Sequence, residues 1–143
     1  MARRSPRSLV ALERRVATAA SDAERAQAEF DLAVFHDNNS REKAAIPHYE
    51  AALRLGLSGE LRARCLAWLA SSLCKTRRFD TAGARLQEAR AATSDDELLS
   101  FLQRLERRLE RDSLTADMEK VGRLLRQQAR VNASNLGRRS GPL

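Results

Sequence analysis

"LAVFHDNNSREKAAIPHYEAALRLG", Leu32 to Gly56, is the stretch on which the fold turns. It holds the end of one helical run, a turn and a second helical run. Asp37 to Ser40, "DNNS", is built of turn formers. Beyond it, Ala45, Tyr49 and Ala52 recur on one helical face. Pro47 sits among them, although a proline deep in a helix removes a hydrogen bond and costs about 3 kcal/mol or more. Pro47 lies about 200° around the axis from both Ala45 and Tyr49. It is therefore expected to face solvent, where water replaces the lost bond and a slight bend is tolerated. Gly56 then stops the run.

The rest of the chain reads the same way. Of its 143 residues 43% are hydrophobic, but these are chiefly alanine and leucine, and aromatics are 4%. Sheets prefer β-branched and aromatic residues, whereas Ala, Leu, Arg, Glu and Gln favour helices. An all-α protein of six or seven helices is expected. The first spans about Ser8–Ala20. Ser21 starts the second, which ends near His36, and Ser40 is read as the cap of the third. Ser58 starts the fourth, Glu60 to about Lys75, and Thr81–Ala92 is the fifth. "TSDDE" (Thr93–Glu97) opens a sixth running to about Arg111, and a seventh follows from Leu114 to about Val131. Residues 1–7 and 132–143 read as disordered basic tails. Short loops make successive helices antiparallel neighbours.

A shift of 37 residues brings two helix pairs into register without a gap. Ala26 meets Ala63, Leu32–Ala33 meets Leu69–Ala70, Ala45 meets Ala82, Tyr49 meets Leu86, and Ala52 meets Ala89. Small residues at fixed points let two helices approach closely, and large ones four residues on fill the space beside them.

This large–small pair followed by small–large–small spacing resembles the tetratricopeptide repeat, a helix hairpin of about 34 residues. "LAWLASSLCKTRRFDTAGARLQEARAAT" (Leu66–Thr93) is the second unit, with Phe79 in the turn. The domain is expected over 8–131, with units at about 24–56 and 60–93 and a degenerate capping unit at 95–131. "P-x-Y-E-x-A-L", here Pro47, Tyr49, Glu50, Ala52 and Leu53, resembles a group of short bacterial members. The resemblance implies a right-handed superhelix of antiparallel hairpins, a TPR-like α-solenoid, whose first helices line a concave face. Transferred residue by residue, that face is Gln27, Phe30, Val34, Asp37 and Asn38, then Arg64, Ala67, Ser71, Cys74 and Lys75, extended by Leu98, Phe101 and Leu105. Phe30 and Phe101 read equally well as core. Phe30 and Val34 stand where members that capture a C-terminal carboxylate begin their lysine–asparagine clamp, so that mode is not expected.

Nothing in the residues proposes catalysis or a cofactor. His36 and His48 have no carboxylate or cysteine cluster at metal-ligand spacing, the glycines form no phosphate loop, and Asp95–Asp96 answers a helix dipole. A non-enzymatic module that binds a partner peptide or helix, or a second copy of the chain, is the first expectation. The alternative is a nucleic-acid-associated protein, since the net charge is +7 and arginines crowd Arg104 to Arg130. The absence of interleaved aromatics ranks it second. Cys65 and Cys74 lie half a turn out of phase and about 13 Å apart on one helix, too far for a disulfide. Reduced thiols and a cytoplasmic protein follow. The Arg- and Ser-rich start would also suit a mitochondrial transit peptide in a eukaryote, though Glu13 opposes this. No apolar run reaches the length of a membrane span.

Overall fold

The computed structural model describes residues 8–139. Six α-helices and no strands occur among them: α1 (Leu9–Thr18), α2 (Asp22–Asn38), α3 (Glu42–Arg54), α4 (Gly59–Lys75), α5 (Phe79–Ala91) and α6 (Asp96–Arg139). The chain divides into two units, one ending at Leu109 and the other beginning at Glu110.

In the first unit the 37-residue register is built into the backbone. α2 and α4 have 17 residues each, α3 and α5 have 13, and each later helix begins and ends 37 residues after its counterpart. The two hairpin turns are also the same. The Ser40 N–H donates to the Asp37 carbonyl and the Arg41 N–H to that of His36. Arg77 and Arg78 repeat this to Cys74 and Leu73. This double bond pattern closes a helix through one left-handed residue, and Ser40 (φ 58°) and Arg77 (φ 65°) take that role. Ser40 thus ends α2, and the residue at the start of α3 is Arg41, which has no side-chain cap bond. The expected capping by Ser40 is corrected accordingly. Between the hairpins, left-handed Gly56 lets Leu57 donate to the Ala52 carbonyl and turn its side chain inward.

The aligned pairs are buried: Ala26 and Ala63, Leu32 and Leu69, Ala33 and Ala70, Ala45 and Ala82, Tyr49 and Leu86, Ala52 and Ala89. α1 packs on α2, α2 on α3, α3 on α4 and α4 on α5. α4 is the middle layer. Its buried side chains run right round it, from Ala63, Cys65 and Leu66 to Leu73 and Cys74. Both cysteines are therefore buried, although they point opposite ways. The start of α6 joins the same core through Leu98, Leu102 and Leu105, with Leu109 partly buried against it. This stack is a helical-repeat solenoid.

Pro47 is the sixth residue of α3 and is exposed, as its phase requires. Its missing N–H leaves the Lys43 carbonyl without a helical donor. Pro47→Ala is expected to restore that bond and stabilise the domain by about 1–2 kcal/mol, less than the full proline penalty because the unfolded chain gains entropy. Urea denaturation checks this, and a destabilised variant would contradict it.

α6 departs from the expected pair of helices, since no break occurs near Asp112. The reason lies in the register. The buried positions Ala82, Leu86 and Ala89 of α5 correspond, 37 residues on, to Glu119, Arg123 and Arg126. A third hairpin would have to bury three charges against α6, at several kcal/mol each. With no Gly or Pro between 96 and 121, the chain stays helical. It does so through Arg139, so the tail expected from 132 is helical at its start. Residues 1–7, and the tail's end at 140–143, lie outside the described residues.

Candidate functional site

One face of α4 carries Arg64, Trp68, Ser71 and Lys75 at steps of four, three and four, hence in line. Arg64 and Lys75 are exposed and Trp68 is partly buried. The Trp68 ring meets Phe101 of α6 edge to face, with centroids 4.7 Å apart and planes at 82°. Such a pair adds about 0.5–1.5 kcal/mol beyond its buried area. Arg104 follows Phe101 by three residues and is exposed. Arg64, Trp68, Leu98, Phe101 and Arg104 line a cleft of about 420 Å³ together with Asp95, Glu97 and Ser100. Asp95 is committed to α6, where its carboxylate accepts from the Leu98 N–H at 2.9 Å. Further along α4, Ser71 is buried and accepts from Arg108 at 3.1 Å.

The corresponding face of α2 is differently used. Arg15 of α1 pairs with Asp31 at 2.9 Å, and Gln27 donates to the other oxygen of that carboxylate at 3.1 Å. Phe30 is a core residue against Tyr49, with centroids 6.1 Å apart. Asp37 accepts the Tyr49 hydroxyl at 2.9 Å, Val34 is partly buried and Asn38 is exposed. On α4, Ala67 and Cys74 are buried, as are Leu98 and Leu105 on α6. Of the residues expected to form the groove, the structure gathers Arg64, Leu98 and Phe101 in one cleft. Gln27, Phe30 and Asp37 hold α1, α2 and α3 together. Trp68 is not among the residues that the repeat resemblance assigns to the groove. Its position four after Arg64 and seven before Lys75 is the signal that marks it.

A second polar cluster joins α2 and α3. His48 Nδ1 donates to the buried Glu29 carboxylate at 2.6 Å, and its ring stacks on His36 at 5.5 Å. Burial holds the His36 pKa below its usual 6.5, aided by His48 and Arg41 and opposed by Glu13. As pH falls, the unfolded chain therefore takes up this proton before the folded one does. Stability should be full above about pH 6.5 and decline below it, with a shallower decline in His36→Phe. Denaturation midpoints across that range test this, and identical slopes for the two proteins would contradict it. Among the described residues no three His, Cys, Asp or Glu side chains gather where they could hold a metal ion. The Cys65 thiol lies 3.5 Å from the Tyr49 carbonyl, and burial pushes its pKa up to about 12, so it stays protonated.

The family model described as tetratrico peptide repeat matches residues 26–132, about three quarters of the chain. The chain belongs to the tetratricopeptide-repeat family. No curated protein matches it significantly, and no solved structure does. The match spans both hairpins and runs into α6. Tetratricopeptide-repeat domains are protein-interaction scaffolds and are generally not enzymes. No described helix is long and apolar enough to cross a membrane.

Proposed function

We propose that this tetratricopeptide-repeat protein is a small adaptor, without catalytic activity of its own, that takes a peptide or helix of another protein on the inner faces of α4 and α6. The observation that carries this is the Trp68–Phe101 edge, partly exposed in a cleft between Arg64 and Arg104. Tryptophan and arginine are enriched among the residues that dominate the energetics of protein interfaces, because a large flat side chain buries much apolar area and a forked cation makes paired hydrogen bonds. The partner suited to this cleft carries an apolar side chain to sit on the aromatic edge and a carboxylate to meet an arginine.

Trp68 is the only tryptophan, so its emission reports occupation of the cleft directly. Peptides selected on the chain from a displayed random library should shift that emission. Arg64→Glu with Arg104→Glu should weaken them at least about tenfold, or 1.4 kcal/mol. Peptides that bind without moving Trp68 emission and ignore both charge reversals would sink the proposal. Salt-sensitive binding of DNA or RNA in place of any peptide would support the nucleic-acid reading instead.

A further inference from the structure

The second unit is helix from Glu110 to Arg139, and it carries an apolar stripe that the repeat register does not explain. Leu114, Met118, Val121 and Leu125 follow one another at steps of four, three and four, and each is 54–66% exposed. That spacing repeats every 3.5 residues and forms a straight seam along a helix, as in helices that pair side by side. Thr115, Gly122 and Leu124 flank the seam without charge, and Asp117 is the one charged residue directly beside its four apolar positions. The stripe is not the missing half of a third hairpin, whose register positions are Glu119, Arg123 and Arg126.

We propose that this seam pairs antiparallel with the same seam of a second copy of the chain. Charge supplies the partner and the direction. Residues 110–119 carry Glu110, Asp112, Asp117 and Glu119 against the single Arg111. Residues 120–139 carry Lys120, Arg123, Arg126, Arg130, Arg138 and Arg139 and no acid. A parallel pair would set acid beside acid and base beside base. An antiparallel pair sets the acidic end of each copy along the basic end of the other. The same alignment stacks Leu114 on the other copy's Leu125 and Met118 on its Val121, giving four apolar layers related by a twofold axis. Beyond them the seam continues as Gln128, Asn132 and Asn135, with Arg111 at the other end. A slipped register would bury those polar groups against leucine, so the register is set. An anionic membrane is the competing occupant, but its surface would repel the four acids at the start of the segment.

Sedimentation equilibrium of the full chain tests this. The mass should rise from 16.0 kDa towards twice that value as concentration increases to about 200 µM. Leu125→Asp should raise the dissociation constant at least about tenfold while leaving the melting of the first unit unchanged. Added salt should weaken the dimer. Direction is read with Leu114→Cys and Leu125→Cys proteins, since the natural cysteines are buried. Oxidised together, the two variants should cross-link to each other, and neither should cross-link to itself. A monomer at every concentration, self-links of each variant, or a dimer indifferent to Leu125→Asp would overturn the proposal. So would a chain that stays monomeric and binds phosphatidylserine vesicles through the seam.

Discussion

Tyr49→Ala is expected to cost about 3–5 kcal/mol, enough to remove much of the stability of a domain of this size. Tyr49 is fully buried at the centre of α3, its ring beside Phe30 and its hydroxyl on Asp37. The substitution empties the space between two helices and removes the donor that ties α3 to the end of α2. Burial and the adjoining Asp37 carboxylate raise the phenol's pKa, so it is a donor at any working pH. Tyr49→Phe separates the two contributions. It keeps the ring and should cost only about 1 kcal/mol, because Asp37 is partly exposed and water can take the vacant place. Chemical denaturation followed by far-ultraviolet circular dichroism measures both. Equal losses for Ala and Phe would mean that the hydroxyl, and not the ring, holds the hairpin.

Two leucines of one helix should behave in opposite ways. Leu102 is 0% exposed in the core, whereas Leu124 is 55% exposed in the second unit. Leu102→Ala deletes buried methyl groups and leaves a cavity, for a loss of about 2–5 kcal/mol. Leu124→Ala removes atoms already in water and should change the stability of dilute protein by less than about 0.5 kcal/mol. The comparison holds helix propensity constant, since both exchanges are leucine to alanine within α6. Similar losses at the two sites would mean that the second half of α6 is packed as tightly as the first.

The hairpins were legible because their signals are local and periodic. Alanine at 45, 82, 52 and 89 marks close approach, and turn residues at 37–40 mark the reversal. The fate of α6 was harder to read. "RDSL" looks like a cap and a fresh start, yet Asp and Ser in a helix cost only tenths of a kcal/mol. What decides the matter is whether the next helix has anything to bury. Comparing Glu119, Arg123 and Arg126 with the buried residues of α5 would have given the answer. The site was half legible. Helix phase brings out Arg64, but it does not tell that α1 ties down Asp31 or that Trp68 meets Phe101. Both are contacts between helices, and a repeat register gives no information on what covers its own ends.

α4 is the most deeply buried helix, packed between α3 and α5 with only its Arg64–Lys75 face open, whereas α1 packs on α2 and the second half of α6 is exposed. Protection should therefore be greatest in the middle of the sequence and fade towards both ends. Opening the backbone of α4 undoes the second hairpin and strips α3 of its neighbour, so its amides should be the slowest to exchange. Those of α1 can exchange by fraying alone. At concentrations too low for pairing, a protease meeting the folded chain would cut α1 and the second unit first and leave the paired repeats as the surviving fragment.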